Sequence, residues 1–170
     1  APKVSGRLMT IRKRIGDWVR AGEVVAVIDD AEYQQALREA EANLKIAEAS
    51  LIEAESQALL ASQELERVRL LKEKGIAAQA EFDVASSNEV ARKSRLELAR
   101  AQVEQRQAAL KSAQIRLDYT RLNASEPGFI GERFVDEGAL LTVNSAVVSV
   151  VGIDRVIVRT TIVERDYGHI

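Results

Sequence analysis

The stretch Leu37–Val68, LREAEANLKIAEASLIEAESQALLASQELERV, carries two interlocked rows of apolar residues. Leu37, Leu44, Leu51, Ala58 and Leu65 recur every seven residues, and Ala40, Ala47, Ala54, Ala61 and Val68 do the same three places behind. That is the a/d seam of a coiled-coil helix. From Ala31 to Leu117 there is no Pro and one Gly, Gly75. Beyond Gly75 the period returns: Phe82, Leu96, Val103, Leu110 and Leu117 share one phase, with Glu89 interrupting the row. A helix cannot bury such a stripe alone. The short Lys72-Glu73-Lys74-Gly75-Ile76 turn supplies a neighbour, with Gly75 suited to a helix C′ position, where the left-handed backbone costs other residues more. The reading is an antiparallel helical hairpin over 31–117, its tip near 72–79, the first helix roughly 60 Å long at 1.5 Å per residue. An Ala-rich d row lets the helices approach closely and buries little area per residue. Helix one is acidic at Glu48, Glu53 and Glu55; helix two carries Arg92, Lys93, Arg95 and Arg100. These charges either pair across the hairpin, at ~0.2–1 kcal/mol per exposed pair, or form solvated faces.

On either side of the hairpin the periodicity changes to that of strands. Val24, Val25, Val27 and Ile28 make an apolar strand that ends at Asp29-Asp30, with Asp30 placed to N-cap helix one and Glu32 in its first turn. After the hairpin, Asp118-Tyr119-Thr120-Arg121-Leu122 reads as a returning strand. A repeat then appears at an offset of 122 positions without a gap: Gly6 falls on Gly128, Leu8 on Ile130, Gly16 on Gly138, Val19 on Leu141, Gly22 on Asn144, Val25 on Val147 and Ile28 on Val150. Gly and Asn both tolerate positive φ. Each half is too small to hold a core, so the halves are expected to pack face to face as one pseudo-symmetric β-sandwich. That sandwich, 1–30 with 118–152, is split by the inserted hairpin, giving an α+β chain. Gly152-Ile153-Asp154-Arg155 closes it, and 153–170, with Val156, Val158 and Thr160 to Val163, reads as the start of a further β domain.

Composition narrows the function. The 170 residues have a net charge of -2 and 4% aromatics, so neither a basic surface nor a stacking platform for nucleic acid is present. Cys is absent and His occurs once, which excludes disulfides, thiolate metal sites and multi-His sites within the chain. There is no Gly-rich phosphate cradle and no Ser/His/Asp set. The carboxylates lie mostly on helix faces rather than converging in a pocket. No enzymatic activity and no cofactor are expected. No signal peptide or membrane span is visible. The chain opens in what reads as mid-strand, Lys3-Val4-Ser5-Gly6, and ends at Ile170 without a closing element, as a piece of a longer protein would.

The order Gly6-Arg7-Leu8, Gly16-Asp17-Trp18-Val19-Arg20-Ala21-Gly22, hairpin, Leu117-Asp118-Tyr119-Thr120-Arg121-Leu122 and Val135-Asp136-Glu137-Gly138-Ala139-Leu140 resembles the periplasmic adaptor proteins, or membrane fusion proteins. The resemblance covers essentially the whole chain. It implies that the sandwich is a lipoyl-like domain, that 153–170 begins a β-barrel domain, and that the chain is an adaptor linking an inner-membrane transporter to an outer-membrane exit channel. It further implies a homo-oligomer in the assembly and a periplasmic location, with an inner-membrane anchor in a segment absent from this chain. The returning strand and the Val163-Glu164-Arg165-Asp166 ending look most like adaptors of proton-driven drug or metal pumps, with adaptors of ATP-driven exporters or type I secretion as the alternative. True lipoyl and biotinyl carriers hold their Lys in a tight turn between the half-motifs, where this chain has the hairpin. A purely structural coiled coil has no need of paired β half-motifs.

Family adaptors touch the exit channel at the hairpin tip through an Arg, a Leu four later and a Ser seven after that. Here Arg67 and Leu71 match, and Ala78 stands in place of the Ser. Gly75 and Ile76 form the turn itself. The plainer readings are a solvated arginine for Arg67 and an end-of-seam core residue for Leu71. Trp18 reads as a sandwich packing residue. Met9 and His169 stand alone, and neither makes a metal site.

Overall fold

A computed structural model describes residues 1–152. The expected 153–170 β-barrel segment, His169 included, lies outside the described residues. Seven strands and two helices run in the order β1 (Gly6–Ile11), β2 (Trp18–Val19), β3 (Val24–Ile28), α1 (Ala31–Glu73), α2 (Gln79–Asp118), β4 (Arg121–Asn123), β5 (Gly128–Arg133), β6 (Leu140–Leu141) and β7 (Val148–Val151). They form two compact units: Ala1–Asp29 with the described part of Thr120–Ile170, and Asp30–Tyr119. No helix among the described residues is long and apolar enough to cross a membrane.

The first unit is a sandwich of a four-stranded sheet, β4-β3-β1-β6, and a three-stranded sheet, β2-β5-β7. Both sheets mix strands from before and after the hairpin, so neither half folds without the other. The 122-residue repeat governs the pairing residue by residue. Gly6 pairs with Leu141 as Gly128 pairs with Val19, and Leu8 pairs with Ile28 as Ile130 pairs with Val150. The loops repeat too. Leu8 N–H donates to Ala139 O at 2.8 Å and Ile130 N–H to Asp17 O at 2.9 Å; Gly138 N–H donates to Leu8 O and Gly16 N–H to Ile130 O. Gly16 and Gly138 have φ of 89° and 88°, and Gly22 and Asn144 have 80° and 68°, the positive values that select Gly or Asn.

Leu8, Val19, Ile130 and Leu141 are fully or almost fully buried, with Val25 and Val147 beside them. At ~1.5–3 kcal/mol for each large apolar side chain removed from water, this set supplies most of what holds the halves together. Gly6 and Gly128 serve close approach rather than unusual dihedrals. A Cβ on Gly6 would stand 2.5 Å from Ile28 Cγ2, and one on Gly128 would stand 2.7 Å from Val151 O. Trp18 corrects the sequence expectation. It is 51% exposed because Val19, its neighbour on a two-residue strand, takes the inward position. The returning strand also begins later than read, since α2 continues to Asp118 and β4 starts at Arg121.

The second unit is the hairpin. All ten seam residues of α1 are buried or half-buried, as are Phe82, Glu89, Leu96, Val103, Leu110 and Leu117 of α2. The Arg92 guanidinium donates to Gln57 Oε1 across the helices. Glu89 enters the seam with its side chain only 13% exposed and pairs with Lys93 at 2.5 Å. The cross-hairpin ion pairs considered for the acidic and basic faces are not formed. Arg100 pairs with Glu97 and Lys93 with Glu89, each within α2, because carboxylates three or four residues away on the same helix lie nearer. Asp30 is the N-cap of α1 but its side chain makes no capping bond.

Candidate docking site at the hairpin tip

The tip is closed by two local devices. At the end of α1, Ile76 N–H donates to Leu71 O and Gly75 N–H to Lys72 O, both at 2.9 Å, with Gly75 at φ 73°. This is the Schellman arrangement, which satisfies carbonyls that the last turn would leave bare. At the start of α2, Ala78 is the N-cap with extended φ -76° and ψ 156°. Its N–H donates to Glu81 Oε2 at 3.3 Å. That is one half of a capping box; the other half needs a side-chain oxygen at residue 78, which Ala lacks.

Beside this turn an open groove of ≈ 720 Å³ runs between the helices. Its floor and walls are Val68, Leu71, Ala80, Val84 and Ala85, and its polar rim is Glu64, Arg67, Glu81 and Asn88. Arg67 is ion-paired to Glu64 one turn back. The hydrogen bond to Glu64, and then that carboxylate's charge, raise the guanidinium's pKa further above its ordinary value. Lys72 closes the inner side of the tip with its Nζ 4.3 Å from the Phe82 ring centroid, a cation–π contact. Of the residues picked out in the sequence, the structure brings Arg67 and Leu71 together in the groove. Gly75, Ile76 and Ala78 lie in the turn outside it, Ile76 being 71% exposed. Leu71 flanks the seam, and Lys72 holds the seam position after Val68. Sequence reasoning missed Glu64, Val84 and Asn88. Val84 had a signal: it is an apolar residue next to the turn but out of phase with the seam row of Phe82.

Such a groove, apolar inside with charged groups at its edge, has the chemistry of a surface that holds a helical segment. Leu71 and Val84 leave room between them for apolar side chains, and the Arg67 guanidinium is a planar fork suited to carboxylates or terminal carbonyls. A second groove, ≈ 460 Å³, lies at the other end of the hairpin, where Glu32 and Glu39 face Arg106 and Arg116. Among the described residues no group of His, Cys, Asp and Glu is placed to hold a metal ion.

Comparison with known proteins agrees with this architecture. A family described as "RND MFP, alpha-helical hairpin domain" matches residues 43–120. The chain is 30% identical over 126 residues to the macrolide export protein MacA of Escherichia coli O157:H7, covering 74% of this chain and 34% of the relative. It is 32% identical over 146 residues to the multidrug resistance protein MdtA of Yersinia pestis (strain Pestoides F), covering 85% of this chain and 29% of the relative. The chain thus spans about a third of the length of these curated relatives. The crystal structure of MacA from Actinobacillus actinomycetemcomitans superposes with a TM-score of 0.85 over 90% of this chain and 48% of that one, at 19% identity, a likeness of fold. A long helical hairpin set between the halves of one small sandwich is the architecture of the membrane fusion proteins, or periplasmic adaptors. Residues 43–120 of this chain carry that family's helical hairpin domain.

Proposed function

We propose that the chain is the adaptor subunit of an efflux assembly, linking an inner-membrane transporter to an outer-membrane exit channel. Adaptors of this family are non-enzymatic in general. The observation that carries the proposal is the tip groove. Two helices of about 40 residues hold an apolar cleft edged by Arg67 and Glu64 at the end of a hairpin. The exit channel docks there. Leu71 and Val84 supply the apolar contact, Arg67 the polar one, and Gly75 and Ile76 the blunt end. Ala78 contributes shape rather than a hydrogen bond. The inner-membrane transporter contacts regions mostly outside this chain. The chain works in the periplasm as one of several copies around a conduit, held to the inner membrane by a segment outside it. The names of the relatives, a macrolide export protein and a multidrug resistance protein, support drug-like cargo over metal.

The test is export by cells that depend on the full-length protein. Arg67→Asp and Leu71→Ser should each abolish drug tolerance while the protein is still expressed and folded, because neither side chain lies in the sandwich core. Normal tolerance in both variants would move the channel contact away from this tip.

A further inference from the structure

The tip groove does not end at Glu64 and Asn88. A second open groove, ≈ 350 Å³, shares those two residues and continues away from the turn past Leu60 to Gln57 and Arg92. The two make one trough along a single face of the hairpin. On α1 that face reads Gln57, Leu60, Glu64, Arg67, Leu71, in alternating steps of three and four; on α2 it reads Glu81, Val84, Asn88, Arg92. From Gln57 to Leu71 the trough is roughly 21 Å long at 1.5 Å per residue, about four turns of a helix laid in it. Its character changes along that length, from the apolar Leu71 and Val84 near the turn to Asn88, Arg92 and Gln57 at the inner end. Arg92 differs from the other paired cations of the hairpin. Arg67, Arg69, Lys93 and Arg100 are exposed and each holds a carboxylate. Arg92 is half-buried, and its acceptor is a neutral amide oxygen, that of Gln57. Gln57 is turned that way because its Nε2 donates to Glu53 at 3.0 Å. Among the described residues Arg92 has no carboxylate partner. One amide oxygen occupies one of a guanidinium's five donors and leaves its charge uncompensated.

We propose that Arg92 is the inner anchor of the docking site, binding an acidic side chain of the same channel helix whose apolar end fills the tip. The proposal rests on the reading that the exit channel docks at the tip, and it specifies the chemistry of that partner. The occupant is a helix with apolar residues over Leu71 and Val84 and an Asp or Glu further along. Val84 and Arg92 are eight residues apart, ~12 Å along α2, so the acidic residue stands about eight residues from the apolar ones on a helix lying in the trough. Continuity selects this occupant, because Glu64 and Asn88 line both parts. Charge selects it too. A carboxylate takes two parallel N–H bonds from the guanidinium fork, and the Asn88 amide, one turn away, offers another donor. Glu64 is already bonded to Arg67. The apolar tip accepts any apolar helix end, whereas a helix without the acidic residue covers Arg92 and leaves its charge unmet. Arg92 is thus the residue that discriminates between partners.

The test places a photo-activated cross-linking residue at Leu60 of the full-length protein, irradiated in intact cell envelopes, with Val90 as the control position. Leu60 is 64% exposed in the trough and Val90 59% exposed outside it. Val90 lies two residues from both Asn88 and Arg92, about 200° around α2 from each. Leu60 should give an adduct with an outer-membrane channel protein, and Val90 none. The channel peptide recovered from the Leu60 adduct should carry an Asp or Glu within about four residues of the attachment point. Arg92→Gln should lower the adduct about tenfold and drug tolerance with it, and Arg92→Lys should keep most of both. Gln57→Glu separates binding from support. It gives Arg92 a carboxylate inside the hairpin, so the thermal midpoint should hold while the adduct falls as in Arg92→Gln. If Arg92 only braced α1 against α2, Gln57→Glu would strengthen the brace and leave adduct and tolerance unchanged. An undiminished adduct in either variant overturns the proposal, as does an adduct between two copies of this chain in place of the channel. Channel adducts from Leu71 and Val84 with none from Leu60 overturn this anchor alone; adducts from Leu60 with none from Leu71 or Val84 overturn the tip reading alone.

Discussion

Ala78→Ser is expected to stabilise the hairpin. Residue 78 already has the extended backbone of an N-cap, and its N–H already reaches Glu81 Oε2 at 3.3 Å. A serine hydroxyl would accept the N–H of Glu81 and complete the box, satisfying one of the four donors that the first turn of α2 otherwise leaves to water. Replacing a Ser cap by Ala costs typically about 1 kcal/mol, within a range of about 0.5–2, and the reverse change should return the same amount. Ala78 is exposed, so the added oxygen displaces nothing packed. The hairpin unit, Asp30–Tyr119, lies in the size range in which 1 kcal/mol moves the midpoint by about 4–8 °C. Circular dichroism at 222 nm, followed through thermal unfolding of the full chain, reads the helices and should show a rise of that order. Glu81→Ala removes the half of the box now present and should lower the midpoint. An unchanged or lower midpoint for Ala78→Ser would refute the capping argument.

Three further outcomes follow from the packing and charge. Gly6→Ala and Gly128→Ala should each destabilise the sandwich by about 1–3 kcal/mol, read as a lower urea midpoint, whereas Gly152→Ala, with open space around it, should be neutral. Leu51→Glu should cost several kcal/mol by bringing an unpaired charge to the seam; Ile52→Glu, next to it but 65% exposed, should leave the melt of the monomer unchanged. Glu23 has its pKa lowered, first by its hydrogen bond with Lys13 and then by the Arg20 backbone N–H. A lowered carboxylate contributes stability that is complete above its unfolded value near 4.5 and is lost as pH falls through the folded value. The melting difference between the natural chain and Glu23→Gln should therefore be present at pH 7 and shrink as the pH is lowered below 4.5.

What could be read in the sequence was what repeats. The seven-residue rows determine which side of each helix is buried, and the 122-residue offset, carried by Gly6, Gly128, Gly16 and Gly138, determines strand pairing to the residue. Both are periodic constraints that the backbone imposes on every position in the row. What escaped depends on contacts between one side chain and another. The Arg92–Gln57 bond needs the register between the helices, which the length of the turn alone does not set. Arg67, Arg69, Lys93 and Arg100 pair with carboxylates three or four residues away on their own helix, whereas Arg92 reaches across to Gln57. Trp18 looked like core by residue type, and only its place on a two-residue strand beside Val19 turned it outward. At the tip, Arg67 and Leu71 were legible from their spacing and family resemblance, while Glu64, Val84 and Asn88 joined the groove through the crossing of two helices.

The central claim is that the hairpin tip meets an outer-membrane exit channel. A photo-activated cross-linking residue placed at Leu71 or Val84 of the full-length protein, and irradiated in intact cell envelopes, tests it most directly. The account predicts an adduct with an outer-membrane channel protein from both tip positions and none from Ile52 in the middle of the hairpin. Channel adducts from Ile52 with none from Leu71 or Val84 would contradict it.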